Sequence, residues 1–144
     1  MAVRIVIEQP TDPDIDVIHA ALRETYWSPG IPRDVVARAC ANSMCAIARD
    51  EAGKLIGFAR LVTDKATFAW LCDVIVLPGR QGRGLGRALV AVFREHPDLQ
   101  GLRRWLLGTK DAHGVYAPLG FTPLAAPGRF MEIKLANPYG KPGA

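Results

Sequence analysis

Apolar residues recur along the chain with two different spacings, and these spacings predict a mixture of strands and helices. Alternation of apolar with polar residues over 3–8 predicts a half-buried first strand. Three apolar stretches joined by short turns, 44–48, 54–62 and 68–76, predict an antiparallel meander. A fifth strand is expected at 103–107. It follows a helix, so the crossover permits a parallel pair.

Helical spacing of apolar residues fills the intervals between these strands. Asp12 is expected to cap a first helix, and Pro32 is expected to begin a second. A third helix is predicted to begin near Gly84 and to end before Pro97. A short fourth helix is expected to end at Gly120.

The last part of the chain is expected to complete the sheet. Asp111 is the expected cap of the fourth helix, and two closing strands are predicted at 121–124 and 130–135. We expect one domain over residues 1–136. The tail 137–144 is rich in proline and glycine and is expected to be loose.

The loop between the fourth strand and the third helix has the composition of an anion site. Glycine permits left-handed backbone conformations and close approach of a ligand. N–H groups at the start of a helix, with the positive end of the helix dipole behind them, favour a phosphate. The glycine spacing in 79–86 matches neither a P-loop, which needs Gly-Lys-Ser/Thr, nor the dinucleotide fingerprint G-x-G-x-x-G.

The spacing that does fit is Gln81-x-x-Gly84-x-Gly86, directly after a strand. It resembles the acyl-CoA loop Q/R-x-x-G-x-G/A of the GCN5-related N-acetyltransferases, the GNAT superfamily. A second stretch, Ala112-x-x-Val115-Tyr116-x-x-x-Gly120-Phe121, is similar to that family's A-x-x-L-Y-x-x-x-G-F. The resemblance covers nearly the whole chain in order and spacing.

The resemblance implies an α/β GNAT fold. Such a fold has a mixed, mostly antiparallel sheet, splayed between strands four and five and flanked by about four helices. The pantetheine arm of the cofactor would lie in the splay. The implied activity is transfer of an acetyl group from acetyl-CoA to a primary amine of a small molecule, by direct attack in a ternary complex. Two alternatives are acetylation of a peptide or protein amine and a non-catalytic acyl-CoA-binding sensor.

Cofactor binding is expected chiefly from the backbone of the glycine-rich loop, with the adjoining strand offering backbone groups to pantetheine. Thr109 stands where many family members carry Asn, so that contact departs from the family pattern. Arg80 and its neighbouring arginines either add charge for the cofactor or form a solvated basic helix start. The implied cofactor residues are Val74, Val76, Gln81, Gly82, Arg83, Gly84, Leu85, Gly86, Arg87 and Thr109.

The catalytic roles follow from the resemblance and from side-chain chemistry. Tyr116 aligns with the family tyrosine that protonates the thiolate leaving group, which a phenol of pKa ~10 can do. Asp73 is a lone carboxylate in an apolar strand, so it either accepts the amine proton or holds a neighbouring loop. His113 is a second candidate base. Tyr26 and Trp27 either line the acceptor pocket or cover the core edge.

Composition excludes several other classes of protein. The net charge of +4 suits an anionic ligand, but the lysines and arginines are not clustered as in nucleic-acid binders. The three cysteines and three histidines have no metal-ligand spacing, and an odd number of cysteines suggests reduced thiols in the cytoplasm. No apolar run is long enough for a membrane span. A homodimer is possible from the family resemblance.

Overall fold

A computed structural model describes residues 2–140, which form five strands and four α-helices. The strands are β1 (Arg4–Ile7), β2 (Met44–Arg49), β3 (Leu55–Thr63), β4 (Phe68–Val76) and β5 (Arg104–Leu107). The helices are α1 (Asp12–Leu22), α2 (Arg33–Ala41), α3 (Leu85–Glu95) and α4 (His113–Tyr116). All nine lie within a few residues of their predicted positions. None of these helices is long and apolar enough to cross a bilayer.

The strands form one sheet in the order β1-β2-β3-β4-β5. The first four strands pair antiparallel, which confirms the predicted meander. β5 pairs parallel with β4, because α3 carries the chain across one face of the sheet between them. The sheet is therefore mixed and mostly antiparallel, as expected.

The sheet separates two hydrophobic cores. On one face, α1 and α2 pack through residues that include Ile18, Leu22 and Val36. On the other face, α3 packs through Leu89, Val90 and Phe93, all fully buried. Gly57 allows α3 to lie close to β3, since a Cβ at this position would be 3.1 Å from the Leu89 side chain. The start of α3 is thereby fixed against the middle of the sheet.

Two predicted helix caps are wrong. Thr11, not Asp12, caps α1: its hydroxyl accepts the Asp14 N–H at 3.3 Å, and the Asp14 carboxylate accepts the Thr11 N–H at 2.9 Å. This capping box satisfies two donors at once, which a lone aspartate cannot do. At α4 the cap position is Ala112 and not Asp111. The Ala112 N–H itself donates to Thr109 Oγ1.

The two predicted closing strands, 121–124 and 130–135, are not formed. Among the described residues after Gly120, the only helical or extended element assigned is a single 3₁₀ turn at Pro127–Arg129. Pro123 lacks the N–H that a ladder needs within 121–124, and Pro127 begins the 3₁₀ turn between the two predicted strands. Residues 141–144 of the expected loose tail lie outside the described residues. Tyr139, nearer its start, packs against the core beneath α1 and α2.

A buried ion pair ties α1 to the sheet. The Arg49 guanidinium donates to both carboxylate oxygens of Asp14, at 2.7 and 3.0 Å, and to Glu8 at 2.9 Å. Only 8% of the Asp14 side chain and 11% of the Arg49 side chain are exposed. Hydrogen bonding to Arg49 lowers the pKa of Asp14 below its usual value.

We expect Asp14→Ala to lower the free energy of unfolding by about 3 kcal/mol, because it breaks the capping box and leaves Arg49 buried without its main partner. Asp16→Ala is the matched control. Asp16 lies on the same helix as Asp14 and pairs with Arg33 of α2, but it is 68% exposed, so its loss should change stability by less than about 1 kcal/mol. Urea unfolding of both variants measures the difference, and equal effects would contradict this account.

The same pair predicts a pH dependence. Since the folded-state pKa of Asp14 is depressed, its contribution is present above the unfolded value of ~3.9 and is lost as pH falls through the lower folded value. The difference in the free energy of unfolding between the parent and Asp14→Ala should therefore become smaller as the pH falls into the acid range.

Candidate active site

The candidate site is the space that opens where β4 and β5 part. The parallel ladder runs from Phe68↔Arg104 to Leu71↔Leu107 and stops there, although β4 continues to Val76. This parting is the splay that the family resemblance implied. Beyond Leu71, β4 presents an unpaired side toward the opening, where backbone donors and acceptors are available to an extended ligand.

A β-bulge in β4 sets the direction of Asp73. The β3–β4 register shifts between Phe58 and Arg60, and Asp73 adopts a left-handed backbone with φ of 53°. This conformation is uncommon for a residue other than glycine. Bulges commonly re-aim side chains beside active sites. Here the bulge places the carboxylate in the cleft, where it is almost fully buried.

Both carboxylate oxygens of Asp73 are engaged. Arg60 Nε donates to Oδ2 at 2.8 Å, and Trp27 Nε1 donates to Oδ1 at 2.9 Å. A second donor of Arg60 reaches the hydroxyl of Ser43 at 3.1 Å. Arg60 was not identified from the sequence. The detectable signal was the lone charge of β3 (Leu55–Thr63), one hairpin away from the lone charge at Asp73 in β4.

The aromatic pair after α1 crosses the mouth of the cleft. The Tyr26 and Trp27 rings meet edge to face, with centroids 5.0 Å apart. The Trp27 indole donates a hydrogen bond to Asp73 on β4. The Tyr26 hydroxyl accepts the N–H of Lys110, just beyond β5, at 3.1 Å. The two residues thus contact both sides of the opening. We call Tyr26 and Trp27 the aromatic bridge.

The glycine-rich loop has the geometry of an anion site. Gly82 and Gly84 have φ of 80° and 75°, and Gly84 is the residue before the first turn of α3. The N–H groups of Gly82, Arg83 and Gly84 donate to no atom of residues 2–140. The first N–H groups of α3, from Leu85 onward, have no partner within the helix either. Several donors therefore converge at a helix N-terminus.

The side chains of the loop differ in whether another residue holds them or they extend into solvent. Gln81 Nε2 donates to the carbonyl of Val76 at 3.1 Å, which fastens the loop to the end of β4. Arg80 lies 3.5 Å from Asp50 and is engaged by it. Arg83 and Arg87 are exposed. Gly86 faces β4, where a Cβ would meet Val74 and Val76 at 3.9 Å.

Two cavities connect the loop with Tyr116. The larger, of about 760 Å³, extends from Gln81 along Val74–Leu77 to Trp27 and is bounded by α1. The smaller, of about 290 Å³, lies between the separated ends of β4 and β5 and reaches Tyr116. Trp27 and Val74 line both cavities, so the two meet there. Together they form one path, which we call the cleft.

Tyr116 occupies the inner end of this path. It follows the loop after β5 on the short helix α4, and its ring packs edge to face on Phe121, with centroids 6.2 Å apart. Burial, with a smaller effect from Tyr26, raises the pKa of Tyr116 above its ordinary value. The phenol is therefore protonated across the neutral and mildly alkaline range, as a proton donor must be.

The other side chains that could serve as a base, a cofactor contact or a nucleophile are less well placed for those roles. His113 is exposed and lines a different cavity on the far side of β5. Thr109 lines the cleft, but its hydroxyl accepts the Ala112 N–H at 3.0 Å. Cys72 also lines the cleft, and burial raises the pKa of its thiol to about 12, so it is protonated and weakly nucleophilic. Across residues 2–140, the structure groups no three metal-ligating His, Cys, Asp or Glu residues.

Comparison with known proteins agrees with this geometry. Residues 12–121 match the model of the Acetyltransferase (GNAT) family. A crystal structure of a GNAT-family protein from Xanthomonas campestris pv. campestris is 42% identical and superimposes with a TM-score of 0.88, over 96% of this chain and 98% of that one.

Two curated relatives are also similar. A Gibberella zeae protein, named an acetyltransferase on a provisional basis, is 32% identical over 70% of this chain and 70% of its own length. The histone acetyltransferase TAP1 of Glycine max is 33% identical over 60% of this chain, which spans 42% of that relative's length.

Proposed function

This chain belongs to the GNAT family of acetyltransferases, and we propose that it moves an acetyl group from acetyl-CoA to a primary amine of a small molecule. The observation that carries the proposal is the cleft itself. It runs from Gln81, in the loop whose free N–H groups precede α3, to a half-buried, protonated tyrosine. A diphosphate at one end and a thioester at the other fit this arrangement.

Cofactor binding would begin at the loop. The N–H groups from Gln81 to Arg87, backed by the dipole of α3, would hold the diphosphate, and the exposed Arg83 and Arg87 would add charge. Pantetheine would extend along the unpaired side of β4 beside Val74 and Val76. Thr109 lines the inner part of the path, where its hydroxyl is still able to donate.

The reaction would be a direct transfer in a ternary complex. The nitrogen of a neutral amine attacks the thioester carbonyl, a C–N bond forms, and the C–S bond then breaks. Tyr116 gives its proton to the departing thiolate. Asp73 accepts the proton released by the amine: Trp27 and Arg60 use two of the approximately four lone-pair positions of its carboxylate, so acceptor capacity remains.

The acceptor would enter beneath the aromatic bridge. Tyr26 and Trp27 stand at the mouth of the cleft, and about half of each side chain is exposed. The enclosed volume of about 290 Å³ at its inner end favours a small amine over a folded partner. Acetylation of a protein amine remains the alternative that the named histone acetyltransferase suggests. A non-catalytic sensor is disfavoured by the placement of Tyr116 and Asp73. A cytoplasmic location stays a prediction.

Acetyl-CoA binding tests the cofactor assignment. Calorimetric titration should give micromolar affinity for the parent, and Gly84→Glu should abolish binding because it places a carboxylate among the N–H donors. Gly101→Glu is the matched control, since Gly101 has a similar φ of 81° beyond the C-terminal end of α3, away from the loop, and bears the same backbone strain. Loss of binding in both variants, or in neither, would contradict the loop assignment.

Tyr116→Phe tests the proton donor. We expect kcat to fall about 100-fold or more with little change in the affinity for acetyl-CoA, since only the hydroxyl is removed. Tyr139→Phe, which alters a tyrosine packed against the other core, should leave kcat unchanged. Because the pKa of Tyr116 is raised, the alkaline fall of the parent's kcat should lie above pH ~10. Full activity of Tyr116→Phe would remove Tyr116 from the mechanism.

Asp73→Asn separates a base from a purely positioning residue. The amide keeps an acceptor for Trp27 but cannot take up the amine proton. If Asp73 is the base, kcat/KM should fall and the acid limb of its pH profile should change. If Asp73 only positions the aromatic bridge, the acceptor KM should rise while the pH profile is retained, and the assigned role would be wrong.

A further inference from the structure

Trp70 lines the cleft but has no part in the chemistry proposed above. It lies in the middle of β4 between Ala69 and Leu71, whose side chains are buried in the core beneath α3. Since side chains alternate along a strand, the Trp70 indole lies on the other face of the sheet, the face that carries α1 and α2. Trp70 is 40% exposed there, and it lines the smaller cavity of about 290 Å³. A large apolar ring therefore borders the inner part of the cleft and remains open to a ligand.

Three exposed aromatic side chains line this one small cavity. Trp70 is joined by the aromatic bridge, whose Tyr26 and Trp27 are 59% and 44% exposed. Val62, which pairs with Trp70 from β3, lies on the same face of the sheet and is 40% exposed. Exposed apolar side chains that occur singly are ordinary, but a patch that leads into a cavity is typical of a ligand-binding groove. This patch continues the cleft outward, so a molecule that covers it can reach the proposed catalytic residues.

The charges around the cavity are balanced. Asp73 is held by Arg60 at 2.8 Å. Asp111, the other carboxylate of the lining, is exposed and follows Lys110, whose ammonium group lies 5.6 Å from the centre of the Tyr26 ring. The acidic residues of the larger cavity are paired as well, Asp16 with Arg33 and Glu24 with Arg23. The body of an acceptor therefore meets aromatic rings and no uncompensated charge.

We propose that the acceptor is an arylalkylamine, a primary amine joined by a short carbon chain to a flat apolar ring, and that Trp70 is the residue that selects it. The ring would stack against the exposed indole beside the aromatic bridge, in the offset or edge-to-face geometry that aromatic pairs prefer. The amine would then reach Asp73, three residues farther along β4. This inference rests on the proposed function, because it names the acceptor of that reaction.

Two other kinds of small amine fit these surroundings less well. A diamine would bring a second ammonium group to a cavity whose carboxylates already lie near cations, and the cation–π contact that it gains is weak at such an exposed site. A hydroxylated amine would place its hydroxyls against ring faces, which do not replace the hydrogen bonds that it makes to water. An aromatic ring loses little hydration and gains contact with Trp70 and Trp27.

The indole N–H resonances of the three tryptophans report binding without requiring turnover. Titration of ¹⁵N-labelled protein with phenethylamine should shift the signals of Trp27 and Trp70 together and to saturation. Trp105 is the internal control, since it packs on the opposite face of the sheet beside the groove beyond β5, and its signal should not move. Putrescine and ethanolamine at the same concentrations should shift neither Trp27 nor Trp70. Cyclohexylethylamine, which is similar in size but not flat, should bind more weakly than phenethylamine.

Trp70→Thr removes the ring but keeps a β-branched residue suited to a strand. With acetyl-CoA as donor, the KM for phenethylamine should rise about 10-fold or more, while the affinity for acetyl-CoA measured by calorimetry stays at the parent's value. Trp70→Phe restores a smaller flat ring and should recover part of the lost affinity. A variant that had merely lost its fold would lose acetyl-CoA binding as well.

Binding and turnover separate this inference from the proposed function. Shifts at Trp27 and Trp70 without acetylation of any amine would reject the proposed function while supporting recognition of the arylalkyl group by Trp70. Acetylation of ethanolamine or putrescine with a kcat/KM equal to that of phenethylamine would retain the function and overturn the inference. An unmoved Trp70 signal, equal binding of cyclohexylethylamine, or a Trp70→Thr variant with the parent's KM would overturn it too.

Discussion

The site depends on one interruption of the backbone ladder. β4 and β5 pair through Leu71 and Leu107 and then separate, so β4 keeps an unpaired side inside the molecule. Burying such groups without partners is costly, whereas a cavity that admits an extended ligand gives them partners. The bulge at Asp73, the cavities along Val74–Leu77 and the position of Tyr116 all follow from this separation.

The elements around the opening hold it at a defined width. The aromatic bridge is hydrogen-bonded to both sides of the opening. Trp27 donates to Asp73, and Tyr26 accepts the Lys110 N–H. The Arg60 guanidinium fixes the same carboxylate from within the sheet, at the cost of burying a charged pair. Gly57 lets the first turns of α3 pack closely against the sheet, since a Cβ there would lie 3.3 Å from Leu85 and 3.1 Å from Leu89. The residues that hold the opening in place therefore include Asp73 and Trp27, to which we also assign roles in the proposed reaction.

The sequence predicted the framework well because local patterns determine it. Strand periodicity, short turns and the Gln81–Gly86 spacing located the five strands and the glycine-rich loop before α3 within one or two residues. The misses involve partners distant in sequence or competing local bonds. The Arg60–Asp73 pair needs the β3–β4 register, and Thr11 outcompeted Asp12 through a capping box visible as Thr-x-x-Asp. A closing strand was predicted at 130–135, but this segment forms no ladder with the sheet.

The central claim is that the free N–H groups at the start of α3 receive the diphosphate of acetyl-CoA. Titrating ¹⁵N-labelled protein with CoA tests it most directly, with the amide of Gly101, beyond the far end of α3, as an internal reference. The account predicts that the amide resonances of Gly82, Gly84 and Gly86 shift together and saturate at one CoA per chain, while Gly101 does not move. Saturable shifts elsewhere with these three glycines unmoved would contradict it.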